Sequence, residues 1–73
     1  MQIEMPEEYS IGQQVRSRRK QFRLTQAELA DLAGVAVRTV HEIEHDKPSL
    51  RLDSLRAVLE ALGLELTVQI RKP

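Results

Sequence analysis

The sequence predicts a mainly α domain of four to five helices, closed by one C-terminal β-strand that pairs in a homodimer. Three observations carry this expectation. Apolar residues recur at helical spacing through most of the chain. Residues 25–44, TQAELADLAGVAVRTVHEIE, read as two short helices around a glycine turn. Over residues 64–70 the period then changes to strict alternation of apolar and polar side chains.

Residues 1–9 read as a flexible tail, in which Ile3 and Met5 alternate with polar residues and fit a short strand. Ser10 is placed to cap a first helix over 11–22. Ile11, Val15 and Phe22 fall on one face of it, with Arg19 between them. An arginine on a core-facing stripe needs a partner, because an unpaired buried charge is expensive.

The second helix has a well-marked start. Thr25 and Glu28 have the spacing of a capping box, and Leu24 and Leu29 the spacing of a hydrophobic staple. It ends near Ala33, where Gly34 supplies a left-handed turn residue. A third helix is expected over 36–44, with Ala36, Val40 and Ile43 inward. Residues 45–49, HDKPS, form a loop. A fourth helix over 52–62 carries the stripe Leu55, Val58, Leu59 and Leu62, and Gly63 stops it. Residues 10–63 therefore form the helical unit and 64–73 a dimerisation strand. There Leu64, Leu66, Val68 and Ile70 alternate with Glu65, Thr67 and Gln69. One strand cannot satisfy its own backbone, and the chain offers no good second one. The simplest partner is the same strand of another copy, antiparallel across a two-fold axis. The other reading is an extended tail packed on the helices.

Composition narrows the function classes. A chain of 73 residues buries only about 60% of its unfolded surface, so dimerisation would help it. With no cysteine, disulfides and thiolate zinc sites are excluded, which fits a reducing cytosol. No apolar run approaches the roughly 18 residues of a membrane span. The acidic start MQIEMPEEY is unlike a signal peptide, so a cytoplasmic protein is expected. Net charge is zero, with 11 basic and 11 acidic residues. The distribution is uneven, however: Arg16, Arg18, Arg19, Lys20 and Arg23 lie within eight residues that hold no acid. Such a cluster is most often a solvated helix face; it is also what attraction to phosphates requires.

Catalytic and metal chemistry have little to stand on. His41 and His45 have i, i+4 spacing, with Glu42, Glu44 or Asp46 as a third ligand, but spacing alone does not make a metal site. Ser10, Ser17, Ser49 and Ser54 have no argued base partner, and there is no glycine-rich phosphate loop. No enzyme activity, metal or cofactor is expected.

A helix-turn-helix needs a small residue at the helix crossing, a glycine in the turn and apolar anchors in the second helix. Ala30, Gly34, Val40 and Ile43 meet these needs in order, with Val35 plugging the turn and Leu29 anchoring the first helix. A helical hairpin of purely structural purpose would satisfy them as well. Beyond the motif, residues 11–66 resemble the lambda-repressor-like, or XRE-type, helix-turn-helix domains of phage repressors and bacterial regulators. The segments LTQAELADLAGVAVRTVHEIE and LDSLRAVLEALGLEL carry the resemblance. Within that family, a single domain followed at once by the strand LELTVQI looks most like HipB-type antitoxins. Those are homodimers that pair their terminal strands and autoregulate an operon encoding a kinase-like HipA toxin.

The resemblance implies a sequence-specific transcriptional repressor whose partners are an inverted-repeat DNA operator, a second copy and a HipA-like kinase. A stand-alone regulator without a toxin, and a protein-interaction module that has lost DNA binding, are the alternatives. The third helix would enter the major groove with Val37, Arg38, His41 and Glu42 toward base edges, opposite its inward set. Arg38 suits the two acceptors of guanine, or a phosphate; Val37 suits a thymine methyl; Glu42 suits a cytosine amino group. His41 can donate or accept to a base. Family members often carry glutamine where Val37 stands, so less hydrogen-bonded readout is expected there. Glu42 would repel phosphates and so limit non-specific affinity. Thr39 and Gln26 are expected at phosphates, the latter beside the free amides of a helix start. Arg16, Arg18, Lys20 and Arg23 add longer-range attraction. Arg19 and Glu44 are assigned by the resemblance to a structural salt bridge between the first and third helices.

Overall fold

The computed structural model describes residues 9–70, so the tail 1–8, with its expected strand at Ile3 and Met5, lies outside the described residues. Four helices follow in order: α1 (Ile11–Gln21), α2 (Gln26–Ala33), α3 (Val37–Glu44) and α4 (Leu52–Ala61). Local chemistry explains where they begin and end. At α1, the Gln13 amide donates to Ser10 Oγ at 3.1 Å, and the Ser10 amide donates to Gln13 Oε1 at 2.8 Å. This closes a capping box that the S/T-x-x-Q spacing permits. Thr25 and Glu28 close the second box, at 2.8 and 3.0 Å. Gly34 then takes the left-handed conformation, φ 71°, and the chain leaves α2 with the Val35 amide donating to the Ala30 carbonyl.

Phe22, Ala36 and Leu62 were expected inside helices; each instead forms the flanking cap residue. Two of them also correct the expected core. Ala36 is exposed, and Phe22 is 49% exposed, as is Ile11 at 42%. Helix termini overhang the core, so a periodic stripe loses its end members to solvent. The buried set is Val15, Leu29, Ala30, Val40, Ile43, Leu55, Val58, Leu59 and Leu62. Leu24, Val35, Leu50 and Leu64 pack around it.

The face of α1 that meets α3 is built on Gly12, which periodicity had not singled out. A Cβ at that position would lie 2.5 Å from the Ile43 carbonyl oxygen and 2.8 Å from that of Glu44. Asp46 locks the same junction. It sits in the left-handed region, φ 54°, and accepts from the Gly12 amide at 2.8 Å and from Ser10 Oγ at 2.6 Å. A carboxylate there meets the free amides at the start of α1. The end of α3 is thereby tied to the beginning of α1.

After α4, Gly63 turns the chain at φ 69°, and the Leu64 amide donates to the Leu59 carbonyl at 2.8 Å. Residues 64–70 continue without helix or strand pairing among the described residues. A strand is defined by its partner, and a single copy supplies none. Leu64 packs on the core, whereas Leu66, Val68 and Ile70 stand out in solvent, the last two almost wholly exposed. Among the described residues no helix is long and apolar enough to cross a membrane.

Candidate nucleic-acid interface

The turn at Gly34 sets α3 across α2 and buries one side of it. Val40, Ile43 and Glu44 face inward. Val37, Arg38 and His41 are exposed on the other side, with Arg38 projecting its side chain at 85% exposure. Thr39 and Glu42 are half-buried between the two sides. The four expected base-facing residues, Val37, Arg38, His41 and Glu42, are thus gathered on one outer surface of one helix.

Glu42 is engaged within that surface. Arg38 Nε donates to its Oε1 and Lys47 Nζ to its Oε2, both at 3.0 Å. The Lys47 hydrogen bond acts most strongly; burial opposes it, and the Lys47 charge with the Arg38 hydrogen bond and charge tips the balance, holding the carboxyl below its ordinary range. Lys47 was missed as a member of this group. Its signal in the sequence was slight: a basic residue just past the end of the third helix. His41 and His45 stack with ring centroids 4.1 Å apart, and His45 Nδ1 lies 2.8 Å from the His41 carbonyl oxygen. That nitrogen is turned to the backbone and away from a common centre with His41.

Glu44 lies beneath. Arg19 Nε and Nη2 donate to its two oxygens at 2.6 and 3.0 Å, and Arg19 Nη1 donates to the Leu24 carbonyl at 2.8 Å. The pair joins α1 to α3, with side-chain exposures of 11% and 2%. Burial pushes the Glu44 carboxyl up. Hydrogen bonds from Arg19 and Gln26, and the charges of Arg19 and Arg16, outweigh burial and leave it lowered. Gln26 is drawn into this group, donating to Glu44 Oε1 at 3.2 Å. One of its two amide N–H groups is therefore engaged by the buried carboxylate, a contact that the sequence, which suggested a phosphate for this side chain, did not indicate.

The basic cluster is divided. Arg16, Lys20 and Arg23 are exposed. Arg18 is tied down: Nε donates to the Leu62 carbonyl at 2.9 Å, and the guanidinium lies 4.7 Å from the centre of the Phe22 ring. A cation at the last carbonyls of α4 is in a favourable place, and it explains why Phe22 has a role outside the core. Arg18 thus does structural work that charge counting could not separate from that of its neighbours.

Comparison with known proteins agrees with this geometry. The family model described as Helix-turn-helix matches residues 15–69. The chain is 34% identical over 58 residues to the immunity repressor protein of Bacillus phage phi105, which covers 80% of this chain and 40% of that protein. It is 38% identical over 58 residues to the uncharacterized HTH-type transcriptional regulator y4mF of Sinorhizobium fredii, covering 80% of this chain and 76% of that one. This chain therefore spans less than half of the phage repressor it matches. Two solved structures, one described as "MDT Protein" and one as "Structure of HipA-HipB-O2-O3 complex", superpose at a TM-score of 0.71. Each is 27% identical and covers 93% of this chain and 100% of its own. With a family match over residues 15–69 and a glycine-hinged α2–α3 pair seated as the motif demands, the chain belongs to the XRE-type, lambda-repressor-like helix-turn-helix family.

Proposed function

We propose that this protein is a sequence-specific DNA-binding transcriptional repressor, acting in the cytoplasm as a homodimer and autoregulating an operon that encodes a HipA-type toxin. The observation that carries the reading is the two-sidedness of α3. One side is locked in the core, and the other presents Val37, Arg38, His41 and Glu42 together. A rigid helix with a polar, exposed side is the part a major groove accepts. Thr39 is half-buried beside it, and Arg16, Lys20 and Arg23 supply phosphate attraction around it. The immunity-repressor relative and the structure described with HipA and HipB support the repressor and antitoxin parts of the reading.

Gel-shift titration against DNA from the protein's own promoter tests the proposal. Arg38→Ala should weaken promoter binding by about 1–3 kcal/mol and relax the preference at one base pair. Lys20→Ala should weaken all duplexes alike and flatten the salt dependence. Failure to bind any duplex at low salt would favour a protein-interaction module.

Pairing of residues 64–70 across a two-fold axis would cover Leu66, Val68 and Ile70, which a single copy leaves in solvent. The two copies of α3 would then reach half-sites about 34 Å apart, so operators should be inverted repeats. Deleting residues 64–73 should reduce dimerisation and DNA affinity together, read by sedimentation and gel shift. A truncated protein that remained dimeric would refute strand pairing. Co-purification with the product of the adjacent gene tests the kinase partner; a neighbour that is not kinase-like would leave a stand-alone regulator.

A further inference from the structure

Glu42 is the acidic side chain on the outer surface of α3, and each of its oxygens is taken by a different cation. Arg38 reaches it from one turn earlier on the helix, and Lys47 from the loop beyond the helix end. The cations themselves are accessible, Arg38 at 85% and Lys47 at 48% side-chain exposure, while the carboxylate is 24% exposed. Solvent-exposed ion pairs of this kind exchange readily with competing charges. On a surface that meets DNA, the competitors are phosphates and base edges.

We propose that Glu42 is a selectivity latch, which holds Arg38 and Lys47 in internal pairs and releases them where the duplex offers the carboxylate a hydrogen-bond donor. The proposal rests on the DNA-binding reading and adds to it the means of discrimination. On an arbitrary duplex, moving one cation to a phosphate strips Glu42 of one of its two partners, and moving both leaves its charge facing the backbone uncompensated. On a matched half-site, a cytosine amino group donates to Glu42 while Arg38 takes the O6 and N7 acceptors of guanine. The matched sequence is then favoured, and other sequences are penalised by the same carboxylate. Arg38 and Glu42 stand one turn apart on α3, so the preferred half-site holds a guanine and a cytosine within the reach of one helical turn.

The test uses the full chain and two duplexes, one from its own promoter and one of random sequence, over a series of salt concentrations. Glu42→Gln should tighten binding to the random duplex on the order of tenfold at low salt, and steepen log affinity against log salt by about 0.9. Promoter DNA should gain less or lose affinity, so the ratio between the duplexes falls. Adding Lys47→Ala to Glu42→Gln should remove most of the gain on random DNA. Glu60→Gln, which removes the same charge from the exposed side of α4, should change both duplexes slightly and equally. Equal tightening of the two duplexes by Glu42→Gln, or no change in either, would overturn the latch. If parent and Glu42→Gln alike bound no duplex at low salt, the DNA-binding reading itself would fall, and the latch with it.

Discussion

Replacing Gly12 with alanine is expected to destabilise the protein by about 3 kcal/mol, the upper part of the range for forced overpacking. Helix propensity argues the other way, since alanine is favoured over glycine inside a helix by about 1 kcal/mol. Contact geometry decides between them. The added methyl would stand 2.5 Å from the Ile43 carbonyl oxygen and 2.8 Å from both the Glu44 carbonyl oxygen and Asp46 Oδ1. Two of these are backbone atoms at the end of α3, which cannot swing aside as a flexible side chain would. To admit the methyl, α1 must lift from α3, and the Asp46 bonds to Gly12 and Ser10 stretch with it. For a domain of this size the change corresponds to a Tm lower by roughly 12–24 °C. Thermal and urea unfolding of the variant against the parent measure it. A Gly12→Ala protein as stable as the parent would mean that α1 is not seated on the end of α3.

Arg19→Ala is expected to cost about 3 kcal/mol, because it strands Glu44 in the interior with one hydrogen bond from Gln26. The Leu24 carbonyl loses its donor in the same change. A small domain has a total stability of roughly 0.05–0.15 kcal/mol per residue, so this loss is a large part of the whole. The penalty comes from leaving one charge without its partner. Arg19→Met combined with Glu44→Leu should therefore be much less harmful than Arg19→Ala alone.

The same pair predicts a pH dependence. The Glu44 carboxyl is lowered in the folded protein from an ordinary value of 4.5. A lowered carboxyl contributes stability that is present above its unfolded value and lost as pH falls through the folded one. In the Arg19→Ala variant, burial acts on Glu44 without its main compensation, so the carboxyl moves upward and the charged form is the one penalised. The deficit of the variant should therefore be greatest toward neutral pH, shrink as pH falls through the variant's raised Glu44 value, and be lost below the parent's lowered one, by the same linkage. A deficit that stayed constant over that range would mean that the charge of Glu44 is not what Arg19 serves.

Much of this fold is written in interactions between near neighbours. The spacing of Thr25 and Glu28, the glycine at 34 and the stripe Leu55, Val58, Leu59 and Leu62 act within one or two helical turns. Physics of that range is legible along a chain, and so were the four helices and the hinge between α2 and α3. The pairing of Arg19 with Glu44 joins residues 25 apart; the resemblance suggested it, while the helical face alone showed only that Arg19 needed some partner.

Other features depend on which surfaces meet. Gly12 is an unremarkable helical glycine until the end of α3 lies against it, and Asp46 is an ordinary loop acid until α1 begins beside it. Arg18 differs from Arg16 only because the end of α4 comes within its reach, and Lys47 matters because the loop folds back toward Glu42. Ile11, Phe22 and Ala36 matched the helical period and still face solvent, since periodicity marks a face of a helix and not where the core stops. Residues 64–70 keep the alternation of a strand, yet one copy has nothing to pair with them. Local order in this protein follows from residues a few places apart. The junctions that seat α1, release or restrain its cations and govern Glu42 follow from contacts between distant segments, whose partners no single stretch of sequence names.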